Sequence, residues 1–273
     1  MNKRFYEANK DLWDEFARIH YETESEFYSV ESFINGQSTL KSYELREMGN
    51  VKSKSLLHLQ CHFGLDTLSW AREGAIVTGV DFSSDGIRIA KLLAKRVKLK
   101  TTFIESNIYD LPKVLFDKFD IVYTSIGVLC WLNDLKEWAK IIANFLKEGG
   151  FFYIAENHPF SRILDYENED NQRFYIYYDY FYDPKPMEFI ADGTYAGSDI
   201  KFKPKKEYEW AHSISEIINS LIEAGLRIEF LNEYPFSIGK RFPHSERGPD
   251  GLFRLKNQKP IIPLLFTLKA VKE

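Results

Sequence analysis

The 273-residue chain is poor in sulfur, with two cysteines and three methionines. Two cysteines, Cys61 and Cys130, cannot build a disulfide framework. Both stand in apolar segments, where a reduced thiol acts as a small hydrophobe. Long apolar runs are missing too. Nothing approaches the roughly 20 residues needed to cross a bilayer, and residues 1–10 lack the apolar stretch of a signal peptide. An excess of charge of one sign is also absent: 36 basic against 40 acidic residues leave a net charge of −4, with no counterion-release drive toward a polyanion. The expectation is a cytoplasmic protein with neither nucleic acid nor membrane as partner. There is no repeat, no low-complexity segment and no Gly-x-Gly-x-x-Gly run.

What is present is ordinary for a folded domain: 44% hydrophobic and 28% charged residues, with a high aromatic share of 16%. From residue 55 onward, short apolar runs (55–60, 75–80, 101–104, 119–124 and 150–155) alternate with segments of helical period. That rhythm marks a parallel sheet covered by helices. Ser83 and Ser84 can cap a helix whose Ile87, Ala90, Leu93, Ala94 and Val97 share one face. Asn133 opens another, with Leu135, Trp138, Ala139, Ile142 and Leu146 on one side, closed by Gly149 and Gly150. Ser213 and Glu216 form a capping box ahead of Ile217, Ile218, Leu221 and Ile222, and Gly225 ends that helix. The runs 226–234 and 263–271 have no helical pattern between them, so they are expected to pair antiparallel, giving a reversed edge strand.

Two regions stand outside this rhythm, 1–50 and 157–210. The second crowds together Tyr166, Phe174, Tyr175, Tyr177, Tyr178, Tyr180, Phe181 and Tyr182. An insertion beyond a strand's carboxyl end lies where α/β sheets bind ligands, so it reads as a lid; a packing or homodimer surface reads equally well.

The first strand and its turn run Leu56-Leu57-His58-Leu59-Gln60-Cys61-His62-Phe63-Gly64. A strand, a tight loop and a helix start make a nucleotide cradle, because free backbone N–H groups point outward there. The second strand ends Gly79-Val80-Asp81-Phe82-Ser83, with the carboxylate 21 residues after Gln60, near the spacing at which an acid meets ribose hydroxyls. A helix N-terminal charge is the plainer role for Asp81. Next come Glu105-Ser106-Asn107-Ile108-Tyr109-Asp110, then Phe119-Asp120-Ile121-Val122-Tyr123-Thr124-Ser125 before Ile126 and Gly127.

As a set these segments resemble class I S-adenosylmethionine-dependent methyltransferases, over residues 55–156 and through the reversed final strand. The stretch 59–67, Leu-Gln-Cys-His-Phe-Gly-Leu-Asp-Thr, is similar to a bacterial subgroup of that family. The resemblance implies an α/β, Rossmann-like, doubly wound and mostly parallel sheet in one domain. Within it, 1–50 would be a helical lid, 51–156 the core that binds S-adenosyl-L-methionine, 157–210 a cap and 211–273 the rest of the sheet. It further implies that Gln60, His62, Phe63 and Gly64 approach the methionine part of the cofactor. Asp81 would hold the ribose, Phe82 flank the adenine with Ser83 also at the cofactor, Asn107 meet its amino group and Ile108 line the ring. Ser125 and Gly127 would lie near the transferable methyl. The family's usual first-motif acid is replaced by His58, and two usual glycines by Gln60 and His62.

The activated methyl asks the protein mainly for alignment and sometimes for a proton acceptor. Glu156, His158 and His212 stand beyond strand ends or in the cap and are the candidates, the acceptor being a small molecule. Turn or helix-end packing is the alternative duty of both histidines. His58, Cys61 and His62 do not form a metal site, since strand alternation sends His58 and Cys61 to opposite faces. Two rivals remain: a protein that binds the cofactor without catalysis, and a dinucleotide-dependent oxidoreductase, which lacks its glycine fingerprint here.

Overall fold

The computed structural model describes residues 3–23, 25, 27–165, 174–255 and 261–273; Tyr166 lies outside them. Three helices come first: α1 (Lys3–Glu22), α2 (Val30–Ile34) and α3 (Ser42–Met48). They are followed by β1 (Ser55–Leu59), α4 (Leu65–Arg72), β2 (Ile76–Asp81), α5 (Ser84–Arg96) and β3 (Thr102–Glu105). Next are β4 (Phe119–Thr124), α6 (Leu135–Phe145), β5 (Leu146–Asn157) and the short α7 (Pro159–Arg162). A hairpin of β6 (Met187–Thr194) and β7 (Gly197–Glu209) precedes α8 (Ile214–Glu223) and β8 (Leu226–Tyr234). A small ribbon, β9 (Ser245–Arg247) with β10 (Phe253–Leu255), leads to β11 (Leu265–Lys272).

The main sheet runs β3-β2-β1-β4-β5-β11-β8. Its strands are parallel except β11, which is antiparallel to both neighbours. The reversed strand thus stands one place in from the edge, because the chain leaves β8 on the outside and returns through the β9–β10 ribbon to fill the gap beside β5.

Period-two alternation sorts the side chains of β4 and β5. Ile121, Tyr123, Phe151, Tyr153 and Ala155 go to one face, beneath α3 and Trp70 of α4. Val122, Phe152 and Ile154 go to the other, with Trp138 and Ile142 of α6 and Ile217 and Leu221 of α8. A strand buried on both faces must be apolar throughout, which is why these runs stood out in the sequence.

The helix signals hold at two of three starts. Ser83 accepts from Gly86 N, and Ser213 from Glu216 N. The cap of α6 is Asp134 rather than Asn133, since the Asp134 carboxylate is the group that accepts from Glu137 N. Glu216 turns its carboxylate to His212 Nδ1, 3.1 Å away.

Strand order reverses between β1 and β4, so the loops after these strands diverge and leave a crevice at their carboxyl ends. Over it lie α1 and the β6–β7 hairpin. Asn9 of α1 bonds both backbone groups of Tyr208 in β7, at 2.8 and 2.9 Å.

Candidate cofactor and acceptor site

The loop after β1 is strained. Gln60, His62 and Gly64 all have positive φ, at 57°, 51° and 84°. Left-handed backbone suits glycine and costs other residues about 1 kcal/mol or more. Something must hold Gln60 and His62 there, and Asp81 supplies part of it: its Oδ2 accepts from His62 N and its Oδ1 from Ser83 N, both at 2.8 Å. Gly64 is required on two counts, since a Cβ at its position would lie 2.9 Å from the Phe103 ring and 3.0 Å from Ala90 Cβ.

Three polar atoms around this loop are buried without a partner among the described residues: Gln60 Oε1, His62 Nδ1 and Trp13 Nε1. Buried polar groups are normally satisfied, so three such atoms around one loop are an exception that asks for a partner. The other side of each ring or amide is tied down. Gln60 Nε2 donates to Val128 O at 3.3 Å, and His62 Nε2 meets His20 Nδ1 at 2.9 Å. Burial holds both histidines well below their ordinary pKa, His20 at about 3, so they are neutral at pH 7. Asp81 is pushed the other way, up to about 7, because burial outweighs the bonds from Ser83 and His62. Each of its oxygens keeps a lone pair for a further donor.

Around the loop after β4, backbone amides gather on the Glu156 carboxylate. Its oxygens accept from Gly127 N, Val128 N, Leu129 N and Asn157 N at 2.6–3.1 Å. These four bonds make it the brace of the turn. His158 is likewise a structural residue. Its Nδ1 accepts from Phe160 N at the start of α7, its Nε2 lies 2.7 Å from Glu233, and burial lowers its pKa. His212 holds Leu132 O and Glu216 at 2.8 and 3.1 Å and stacks on Tyr182. A group with both nitrogens committed is poorly placed to shuttle protons.

Of the remaining expected contacts, Phe63 is turned into the core beside Leu68 and Ile87, and Ile108 into the core beside Leu59 and Val80. Asn107 spends its Oδ1 on Tyr109 N, and Ser83 its hydroxyl oxygen on Gly86 N. Ser125 Oγ lies 3.1 Å from Nε2 of His58, whose Nδ1 meets Thr67. Phe82 faces the Tyr6 ring at 5.7 Å, and Gly127 turns the chain with φ of 86°.

The residues that sequence reasoning missed come from α1 and the hairpin. Tyr6, Trp13 and His20 repeat at seven residues, so they form one stripe of α1 lying across the strand ends. Trp13 packs on His62 at 5.1 Å and on Trp131 at 5.4 Å. Asp14 accepts from Ser83 Oγ and Asp85 N, fastening the helix to the start of α5. At the hairpin tip, Thr194 Oγ1 lies 2.5 Å from His20 Nε2 and Tyr195 OH 2.6 Å from Tyr28 OH. The seven-residue spacing was the available signal for α1, and the alternating lysines of 201–206 the signal for β7.

This is the fold of class I S-adenosylmethionine-dependent methyltransferases. Structures that share it include a S-adenosylmethionine-dependent methyltransferase from Clostridium acetobutylicum, 17% identical with a TM-score of 0.58, covering 96% of this chain and 99% of its own. Another is the magnesium protoporphyrin IX methyltransferase of Synechocystis with bound SAH, 15% identical with a TM-score of 0.53, covering 98% and 97%. Residues 57–154 match the family model of a methyltransferase domain. Among curated relatives, the ubiquinone biosynthesis O-methyltransferase of Pelagibacter ubique is 27% identical over 159 residues, 56% of this chain and 62% of that protein. The chain thus spans less than two thirds of that relative.

Proposed function

We propose that the whole chain transfers the methyl group of S-adenosyl-L-methionine to a small molecule enclosed between the β1–β4 crevice and the cover formed by α1 and the β6–β7 hairpin. The observation that carries this reading is the set of unpartnered buried atoms, Gln60 Oε1, His62 Nδ1 and Trp13 Nε1, beside an Asp81 carboxyl whose pKa burial raises. A ribose diol would give Asp81 the donors that return it to the ionised form. Gln60 and His62 would receive the polar end of the cofactor, and Phe82 with Tyr6 would take the flat base. The cofactor, when bound, supplies an activated methyl group. The chain's own task is to align the acceptor and exclude water, which the cover does.

An enclosed site and a net charge of −4 support a small acceptor over a nucleic acid. No helix among the described residues is long and apolar enough to cross a membrane. Two buried free thiols fit a reducing cytoplasm. Tyr177 and Phe181, 73% and 70% exposed, form the surface on which a second copy would dock in a homodimer.

Calorimetry tests the reading. S-adenosylmethionine and S-adenosylhomocysteine should bind at low micromolar Kd or tighter, and NAD weakly. Asp81→Ala should cost roughly 2–3 kcal/mol of that affinity, the loss of a charge-assisted pair. Tighter binding of NAD would overturn the assignment.

A further inference from the structure

We propose that Thr194, at the tip of the cap hairpin, acts through His20 to fix the ring of His62 as a hydrogen-bond donor to a carboxylate, so that Thr194 and His20 are positioning residues for the carboxyl end of the cofactor. This rests on the methyltransferase reading and adds to it the part the cover plays in holding the cofactor.

Three side chains from distant parts of the chain stand in line. Thr194 Oγ1 lies 2.5 Å from His20 Nε2, and His20 Nδ1 lies 2.9 Å from His62 Nε2. The His20 ring is held by stacking on Phe16 and Tyr28, with its centroid 5.3 and 4.6 Å from theirs. His62 is held at its backbone, where Asp81 Oδ2 accepts from its N at 2.8 Å and keeps the residue at positive φ. The line ends at His62 Nδ1, buried and without a partner among the described residues. Trp13, whose ring meets that of His62 edge to face at 5.1 Å, brings a second buried nitrogen without a partner, its Nε1.

Counting protons gives the line a direction. Burial keeps both imidazoles neutral at pH 7, so each carries one N–H, and the Thr194 hydroxyl carries one O–H. Three protons serve two contacts, so the third stands at one end. Were it on Thr194, Oγ1 would accept from His20 Nε2 and, at 3.3 Å, from Ala196 N, while its own proton would have no acceptor among the described residues. With Thr194 donating to His20 Nε2 instead, His20 Nδ1 donates to His62 Nε2, and His62 Nδ1–H is left for a ligand. The indole Nε1 of Trp13 can only donate. Two donors on touching rings call for an acceptor. The start of α4 directly after this loop, where free amides and the helix dipole favour negative charge, makes that acceptor a carboxylate. Gln60 Oε1, also buried without a partner, is an acceptor and suits the ammonium that accompanies the carboxylate in the amino-acid end of the cofactor. Water in place of the Thr194 hydroxyl would donate or accept with equal ease, so the direction is set only while the hairpin tip lies against His20. By linkage, a bound carboxylate tightens that contact in return.

The test uses the full chain and two probes, S-adenosylhomocysteine and 5′-methylthioadenosine, which keeps the nucleoside and the thioether but lacks the amino-acid end. Thr194→Val deletes the hydroxyl and keeps the shape. It should weaken S-adenosylhomocysteine binding about tenfold in calorimetry and leave methylthioadenosine within about twofold, and Thr194→Ser should restore the loss. Independently, long-range 1H–15N NMR of histidine-labelled protein, with signals assigned through His20→Gln and His62→Gln, should show both rings as Nδ1–H tautomers in the free and the bound wild-type protein. Free Thr194→Val should show a mixture of tautomers. Equal losses for the two probes, an unchanged affinity for S-adenosylhomocysteine, or an Nε2–H tautomer at either ring of the wild-type protein overturns the proposal. Failure of the wild-type protein to bind S-adenosylhomocysteine overturns instead the reading on which it rests.

Discussion

The two halves of the site are held together in opposite ways. On the sheet side, buried carboxylates grip backbone N–H groups: Asp81 holds His62 N and Ser83 N, and Glu156 holds four amides across the loop after β4. On the cover side, side chains from distant segments meet tip to tip, as in His20 with Thr194 and Tyr28 with Tyr195, or across an ion pair such as Lys205 with Asp11. Carboxylate-to-amide bonds fix the backbone itself, whereas tip contacts are replaced by water at little cost. The floor therefore resists local opening more than these tip contacts of the cover do.

The largest effect should come from disturbing the floor. Gly64→Ala combines positive φ with a Cβ that would press on the Phe103 ring and Ala90, and should destabilise the protein by about 3 kcal/mol in urea denaturation. A loss under about 1 kcal/mol would show that Phe103 yields and that the floor is as soft as the cover.

A smaller and local effect is expected at the cover. His20→Ala removes the bonds to His62 and Thr194 and should raise hydrogen exchange in α1 by the equivalent of about 1–2 kcal/mol, leaving the amides of β1 and β4 unchanged. Burial places the His20 pKa at about 3, below its ordinary 6.5, so its neutral ring stabilises the cover fully above pH 6.5 and that contribution drains away as pH falls toward 3. Exchange in α1, corrected for intrinsic rates, should accelerate from pH 6.5 to 5, and less so in His20→Ala. Equal acceleration in the core strands would erase the distinction between the halves.

The smallest effect sharpens the boundary between them. Gln60→Ala keeps the strained backbone and removes an amide with one weak bond to Val128 O. Affinity for S-adenosylmethionine should fall by roughly 1–2 kcal/mol while the Tm of the cofactor-free protein stays put. A lower Tm with unchanged affinity would make Gln60 a brace of the floor.

The parts of the molecule that were legible in the sequence are those whose cause is local. Ser83 and Ser213 announce helix starts because a cap bonds an amide three residues on. The apolar runs announce strands because burial on both faces leaves no polar positions. Where two candidates for one local duty adjoin, as with Asn133 and Asp134, only the geometry chooses. The aromatic cluster read equally as a lid or as a packing surface, and it divides on folding: Phe174 packs against Phe242, while Tyr175, Tyr177 and Phe181 face outward. The cover's inner wall is instead the lysine-rich hairpin.

By itself, then, the sequence determined the alternation of strands and helices, the strand-loop-helix cradle at Gln60–Gly64 and the carboxylate at Asp81, since each depends on neighbours within a few residues or on a period. Tertiary structure decided which polar groups are free to react. Glu156, His158 and His212 looked available, but backbone amides and carbonyls up to 80 residues away claim them. The number of donors reaching a side chain depends on how distant segments are brought together, which no local pattern encodes.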